Sequence, residues 1–112
     1  MKFEIYKSES GSKFYFRLKA KNGQVILTSQ GYSSKASAKN GAESVAKNAA
    51  SKDHFEIKES SDGKPYFNLL AANKQVIGTS QRYASDASMK KGIDSVMTVA
   101  PQAEIVDLTV ED

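Results

Sequence analysis

Tyr15–Ala49 is written a second time as Tyr66–Ala100, at a constant offset of 51 and with about 20 of 35 positions identical. Phe3-Glu4-Ile5 matches Phe55-Glu56-Ile57 at an offset of 52, so the first copy carries one extra residue in its first turn. A period near 51 in a chain of 112 residues leaves room for two copies and little else. One copy alone would bury barely more than half of its unfolded surface, which is marginal for stability. Two copies sharing a core escape that limit. The expected organisation is one domain over residues 1–112, built from a first repeat (1–52) and a second repeat (53–112).

Within one copy the apolar residues change period. Phe3-Glu4-Ile5-Tyr6-Lys7 alternates with period two, as a half-buried strand does. After a turn around Gly11, Phe14, Phe16, Leu18 and Ala20 alternate with Tyr15, Arg17 and Lys19. Asn22-Gly23 predicts a tight hairpin of type I′, and Gln24–Ser29 a third strand. The period then lengthens. Ser33 or Ser34 is the expected N-cap of a helix whose apolar stripe is Ala38, Gly41, Ala42, Val45 and Ala49. The second copy repeats this order with strands at Phe55–Lys58, Tyr66–Ala71 and Gln75–Ser80. Its helix follows Ser85 with the stripe Met89, Gly92, Ile93, Val96 and Ala100, and Pro101 closes it. Gly41 and Gly92 sit on the stripe although glycine is costly inside a helix, so each helix is expected to lie close on the sheet there. Glu104–Val110 predicts one further strand.

These units predict an α+β fold. Two tandem β3-α-β repeats form a pseudo-two-fold, mostly antiparallel single sheet, with two helices packed on one face.

The block Tyr66-Phe67-Asn68-Leu69, Ala71-Ala72-Asn73 and Gln75-Val76-Ile77-Gly78-Thr79-Ser80-Gln81 with Tyr83, repeated from Tyr15-Phe16-Arg17-Leu18 onward, resembles the YegP-like family of small bacterial proteins of unknown function. The resemblance covers nearly the whole chain. It implies that the C-terminal strands are exchanged between the halves, and that a two-copy chain is a monomer acting as a fused dimer, a pseudo-dimer. It brings no activity, cofactor or catalytic residue. The two copies depart from each other at Arg17/Asn68, Leu27/Gly78 and Gly31/Arg82.

Composition removes several chemistries. Without Cys there is no disulfide framework and no thiolate metal site or nucleophile. The first residues alternate instead of forming a signal-peptide core, and no stretch approaches the ~20 apolar residues of a membrane span. A soluble, cytoplasmic protein without membrane partners is expected. Charge is uneven: Met1–Lys52 carries a net of +7 and Asp53–Asp112 a net of −4, with Glu104, Asp107, Glu111 and Asp112 after Pro101.

No catalytic, metal or cofactor site is expected. His54 is the only histidine and reads as a surface or cap residue. Glu4 and Glu56 are equivalent acids expected on the solvated strand face, where a two-fold could pair them for acid–base chemistry only if it brought them together. Phosphate-loop motifs are absent. The duplicated segments Thr28–Tyr32 and Thr79–Tyr83 carry the candidate binding residues Gln30, Tyr32, Gln81 and Tyr83. Tyr15, Arg17 and Lys19 share one strand face and form the alternative, a weak, salt-sensitive nucleic-acid surface. The function expected from these features is a non-enzymatic interaction or binding module whose partner the sequence does not identify, a protein being the candidate ahead of nucleic acid.

Overall fold

Alternation and helical spacing settle into elements close to those the sequence predicts. The computed structural model describes residues 1–109. β1 (Lys2–Lys7), β2 (Phe14–Lys19) and β3 (Val25–Thr28) form a meander followed by α1 (Lys35–Asn48). β4 (Phe55–Glu59), β5 (Pro65–Leu70) and β6 (Val76–Thr79) form a second meander followed by α2 (Asp86–Val99), and β7 (Glu104–Asp107) comes last. Single 3-10 turns at Lys52–His54 and Ala100–Gln102 follow the two helices. Val110, expected as the end of the last strand, and the acids Glu111 and Asp112 lie outside the described residues.

The seven strands make one sheet in the order β4-β5-β6-β3-β2-β1-β7. At its centre Thr28 of β3 faces Thr79 of β6, the same residue of each copy, so a pseudo-two-fold axis passes between them. The Thr28 hydroxyl donates to the Thr79 carbonyl at 3.3 Å. Every pairing is antiparallel except β1 with β7, which run parallel. The strand exchange runs one way. β7 leaves the second repeat and joins the outer strand of the first, whereas the chain after α1 continues through Lys52–His54 straight into β4.

Both helices cover the same face of the sheet over one apolar cluster that takes Phe3, Ile5, Phe16, Leu18 and Leu27 from one half and Phe67, Leu69 and Ile77 from the other. Each helix begins at a serine cap: the Ser34 and Ser85 hydroxyls accept from the Ser37 and Ser88 N–H groups, both at 3.1 Å. The expected stripes are the buried faces, Ala38, Gly41, Ala42 and Val45 on α1 and Met89, Gly92, Ile93 and Val96 on α2. A Cβ on Gly41 would stand 2.5 Å from the Tyr32 hydroxyl and 2.9 Å from the Phe16 ring, and one on Gly92 would strike Tyr83. In each copy a tyrosine stacked on a phenylalanine, with ring centroids 6.2 Å apart, fills the room left by the absent side chain.

The Asn22-Gly23 hairpin differs from the expected type I′ turn. Only Gly23 has positive φ, at 83°; its N–H donates to Ala20, and the Ala20 N–H donates to Gln24, each at 2.9 Å. This is a three-residue loop, a type I turn closed by one left-handed residue. It comes with a register shift between Leu18 and Lys19. The second copy builds the same loop with Lys74 at φ 69°. A side chain is disfavoured in that conformation by about 1–2 kcal/mol. Lys74→Gly is therefore expected to raise stability by about 1 kcal/mol after the loss of backbone freedom is counted, as a higher midpoint in chemical denaturation.

Leu27 and Gly78 are equivalent positions that meet beside the axis. A Cβ on Gly78 would lie 2.5 Å from Leu27 Cδ2, so the leucine of one copy fills space opened by the glycine of the other. Gly78→Val is expected to cost about 1–3 kcal/mol by overpacking. Combined with Leu27→Ala, it should cost less than the sum of the two single changes by more than about 0.5 kcal/mol. Additive losses in a denaturation cycle would show that the two side chains do not compete for one space.

Candidate functional site

Strand alternation puts Glu4 on the sheet face opposite the helices, yet it is 4% exposed, not solvated as the sequence suggests. Its neighbours explain this. β7 lies alongside with Val106 in register with Glu4, and three cations converge on the carboxylate. Arg17 Nε stands at 2.7 Å, Lys19 Nζ at 3.1 Å and Lys2 Nζ at 3.5 Å. Burial raises the Glu4 pKa, but hydrogen bonds and charge from Arg17 and Lys19 outweigh it and hold the carboxyl at about 2.

The proposed nucleic-acid face is therefore internally engaged. Arg17 bonds Glu4 and lies over the Tyr6 ring, 4.6 Å from its centroid. Lys19 bonds the same carboxylate, and Tyr15 stacks on Tyr6 with centroids 5.6 Å apart. Glu56 has a different setting: Asn68 donates to it at 3.3 Å, Lys58 Nζ stands 3.8 Å away, and its side chain is 41% exposed. Glu4 and Glu56 sit on β1 and β4, five strand spacings apart, roughly 24 Å at about 4.8 Å per strand. They make no acid–base pair.

The four candidate binding residues do not converge either. Because β3 and β6 are antiparallel, the two loops leave the centre of the sheet in opposite directions. Tyr32 exchanges two backbone hydrogen bonds with Phe14, at 2.7 and 2.8 Å, and its ring packs on Phe16. Tyr83 donates its N–H to Pro65 at 2.8 Å and packs on Phe67. Burial pushes both phenols up from their ordinary pKa. Gln30 and Gln81 are exposed, and their carbonyls accept from Ser29 and Ser80 at 2.8 and 2.7 Å. Gln81 also borders a shallow hollow with Tyr66, Thr79, Ser80 and Arg82.

The remaining feature is the outer edge of β4. Phe3 and Ile5 on β1 are 1% and 0% exposed, while the equivalent Phe55 is half-buried and Ile57 is 57% exposed. Beside them runs a cleft of about 450 Å³ between β4 and α2, lined by Phe55, Ile57 and Ile93 with Lys52, Asp53, Lys90 and Asp94. No strand pairs with this edge among the described residues. His54, at the start of β4, has its Nδ1 closed off from solvent without a hydrogen-bond partner among those residues. Sequence reasoning missed this edge, although the equivalence of Ile57 with Ile5 carries the signal once β7 is known to cover only β1.

Residues 4–56 and 60–107 each match the model of a domain of unknown function, DUF1508. The chain belongs to the DUF1508 family. It is 54% identical to the UPF0339 protein in ptx operon 5′region of Stutzerimonas stutzeri over 95% of both chains. It is 50% identical to the UPF0339 protein YegP of Escherichia coli O157:H7 over 96% of both. Two solution structures share the fold. The yegP protein of E. coli, of unknown function, superposes with a TM-score of 0.90 at 45% identity, covering 99% of this chain and 95% of that one. A UPF0339 protein of Shewanella oneidensis gives 0.88 at 47%, covering 96% and 90%. The YegP-like resemblance read from the repeated block is thereby established, and the relatives are bacterial proteins whose names assign no activity. No helix among the described residues of this DUF1508 chain is long and apolar enough to cross a membrane.

The Glu4 cluster has a pH signature. A carboxyl lowered from 4.5 to about 2 on folding stabilises the fold fully above about pH 4.5, and that contribution is lost as pH falls through 2. Glu4→Gln is expected to lose about 1–3 kcal/mol at pH 7 in denaturant titrations, with the gap to the parent closing between pH 4.5 and 2. Asp107, held down to about 2 by Thr109 and Lys35, titrates in the same window, so the variant's acid dependence shrinks without vanishing.

Proposed function

We propose that this chain is a non-enzymatic interaction module of the cytoplasm, a dimer fused in line, which engages a protein partner along the free edge of β4. The supporting observation is the contrast between Ile5, fully covered, and Ile57, 57% exposed beside an apolar cleft at the equivalent strand. An unpaired strand edge offers a row of backbone donors and acceptors, and the cleft adds side-chain burial; together they are what strand addition requires. A lack of cysteine suits a reducing compartment.

Support for the other surfaces is weaker. Arg17 and Lys19 already neutralise a buried carboxylate, so a phosphate backbone would have to compete with Glu4 for them. The Gln30/Tyr32 and Gln81/Tyr83 loops offer exposed amides, but both tyrosines are committed to packing over helix glycines. Selecting peptides on the folded protein should enrich segments that slow amide exchange at Phe55–Glu59, and Ile57→Lys, at an exposed position, should abolish their binding without lowering stability. Protection appearing instead at Gln30–Tyr32 or Gln81–Tyr83 would move the binding surface to those loops.

A further inference from the structure

The molecule contains its own example of how such an edge is covered. β7 lies parallel to β1 with Ile105 opposite Phe3, Val106 opposite Glu4 and Asp107 opposite Ile5. Asp107 is further held by Lys35, the first residue of α1, at 3.0 Å. A lysine there opposes the helix dipole, and α1 has no acid in its first turn, so the contact with β7 compensates an otherwise unfavourable placement. Carried over by the repeat, a strand on β4 would have residues opposite Phe55, Glu56 and Ile57, the last of them near the start of α2.

The charges at those places are inverted. The residue equivalent to Lys35 is Asp86. Around Glu56, the three cations that surround Glu4 are all replaced: Lys2 by His54, Arg17 by Asn68 and Lys19 by Leu70. The nearest remaining cation, Lys58 at 3.8 Å, is itself largely exposed. The cleft lining is otherwise balanced, Lys52 and Lys90 against Asp53 and Asp94. Resting on the interaction reading above, we infer that the β4 edge takes a parallel extended segment of another protein with an apolar residue opposite Phe55 and basic residues opposite Glu56 and Ile57. The apolar side chain enters the cleft against Ile93. The first basic residue supplies the missing partner of Glu56 on the open face, and the second meets Asp86 on the helix side. A second copy's β7 is the wrong guest, because its Asp107 would confront Asp86.

Titration of the full-length, isotope-labelled protein with blocked peptides tests this by chemical shift. One peptide carries Ala-Thr-Ile-Lys-Lys-Leu-Thr, a second has Asp in place of the second Lys, and a third is the first in reverse order. The first is expected to perturb His54–Glu59 together with Lys90 and Asp94, and to bind at least tenfold more tightly than the other two. Asp86→Lys, in a protein with an otherwise unchanged spectrum, should reverse the preference between the first two peptides. Equal binding of all three at β4 would overturn the charge and direction while leaving the interaction reading intact. No binding at β4 by these or by any selected peptide would remove both. Concentration-dependent shifts at Ile57 in the free protein would overturn the inference in favour of edge-to-edge pairing of two copies.

Discussion

The fold depends on a junction that is narrow in the backbone and wide in the side chains. β3 and β6 meet through one residue pair, Thr28 with Thr79, which is too little to hold two half-sheets together. What closes the seam lies above and beyond it. α1 rests on β1 and β2 and also touches β5 and β6, while α2 rests on β5 and also touches β3. α1 can reach across because its stripe is small, with Ala38, Gly41 and Ala42 allowing close approach. On α2 only Gly92 is small, and Met89, Ile93 and Val96 fill the contact. β7 adds a second tie by carrying the end of the second repeat to the far edge of the first. Neither repeat has an interior to itself, and burial that one copy could not achieve is shared by two.

Much of this was legible in the residues. The repeat, the strand alternation, the buried stripes and the serine caps follow from local rules acting within a few residues of one another. The features that escaped require distant partners. Asn22-Gly23 carries the composition of a two-residue turn, but the register demanded by Leu18 and Leu27 adds a loop residue, and one left-handed position then suffices. Glu4 alternates like a solvent-facing acid; its burial depends on β7 from the other end of the chain and on cations from β1 and β2. The tyrosines read as candidate ligands because they recur, and they recur because each ring must occupy the same gap over a helix glycine.

The candidate site was the least legible part, for a physical reason. It is defined by what is missing from a place, and an absence leaves no motif. Phe55-Glu56-Ile57 is spelled like Phe3-Glu4-Ile5, but β7 and α1 both lie against β1. Among the described residues β4 has neither a paired outer strand nor an equally close helix, so Ile5 is covered and Ile57 is exposed. The substitutions that accompany this difference, at His54, Asn68, Leu70 and Asp86, look like ordinary drift between copies until they are mapped around one strand edge.

The Leu27–Gly78 contact has a consequence for symmetry. In an assembly of two identical chains, any residue near the axis must confront its own twin, so leucine would collide with leucine or glycine would leave a hole. Here the two positions belong to unlike copies within one chain, and they form a matched bulky and bare pair. The bulky and the bare residue lie in different halves, so the local asymmetry of the seam is a property of the whole chain and belongs to neither repeat alone.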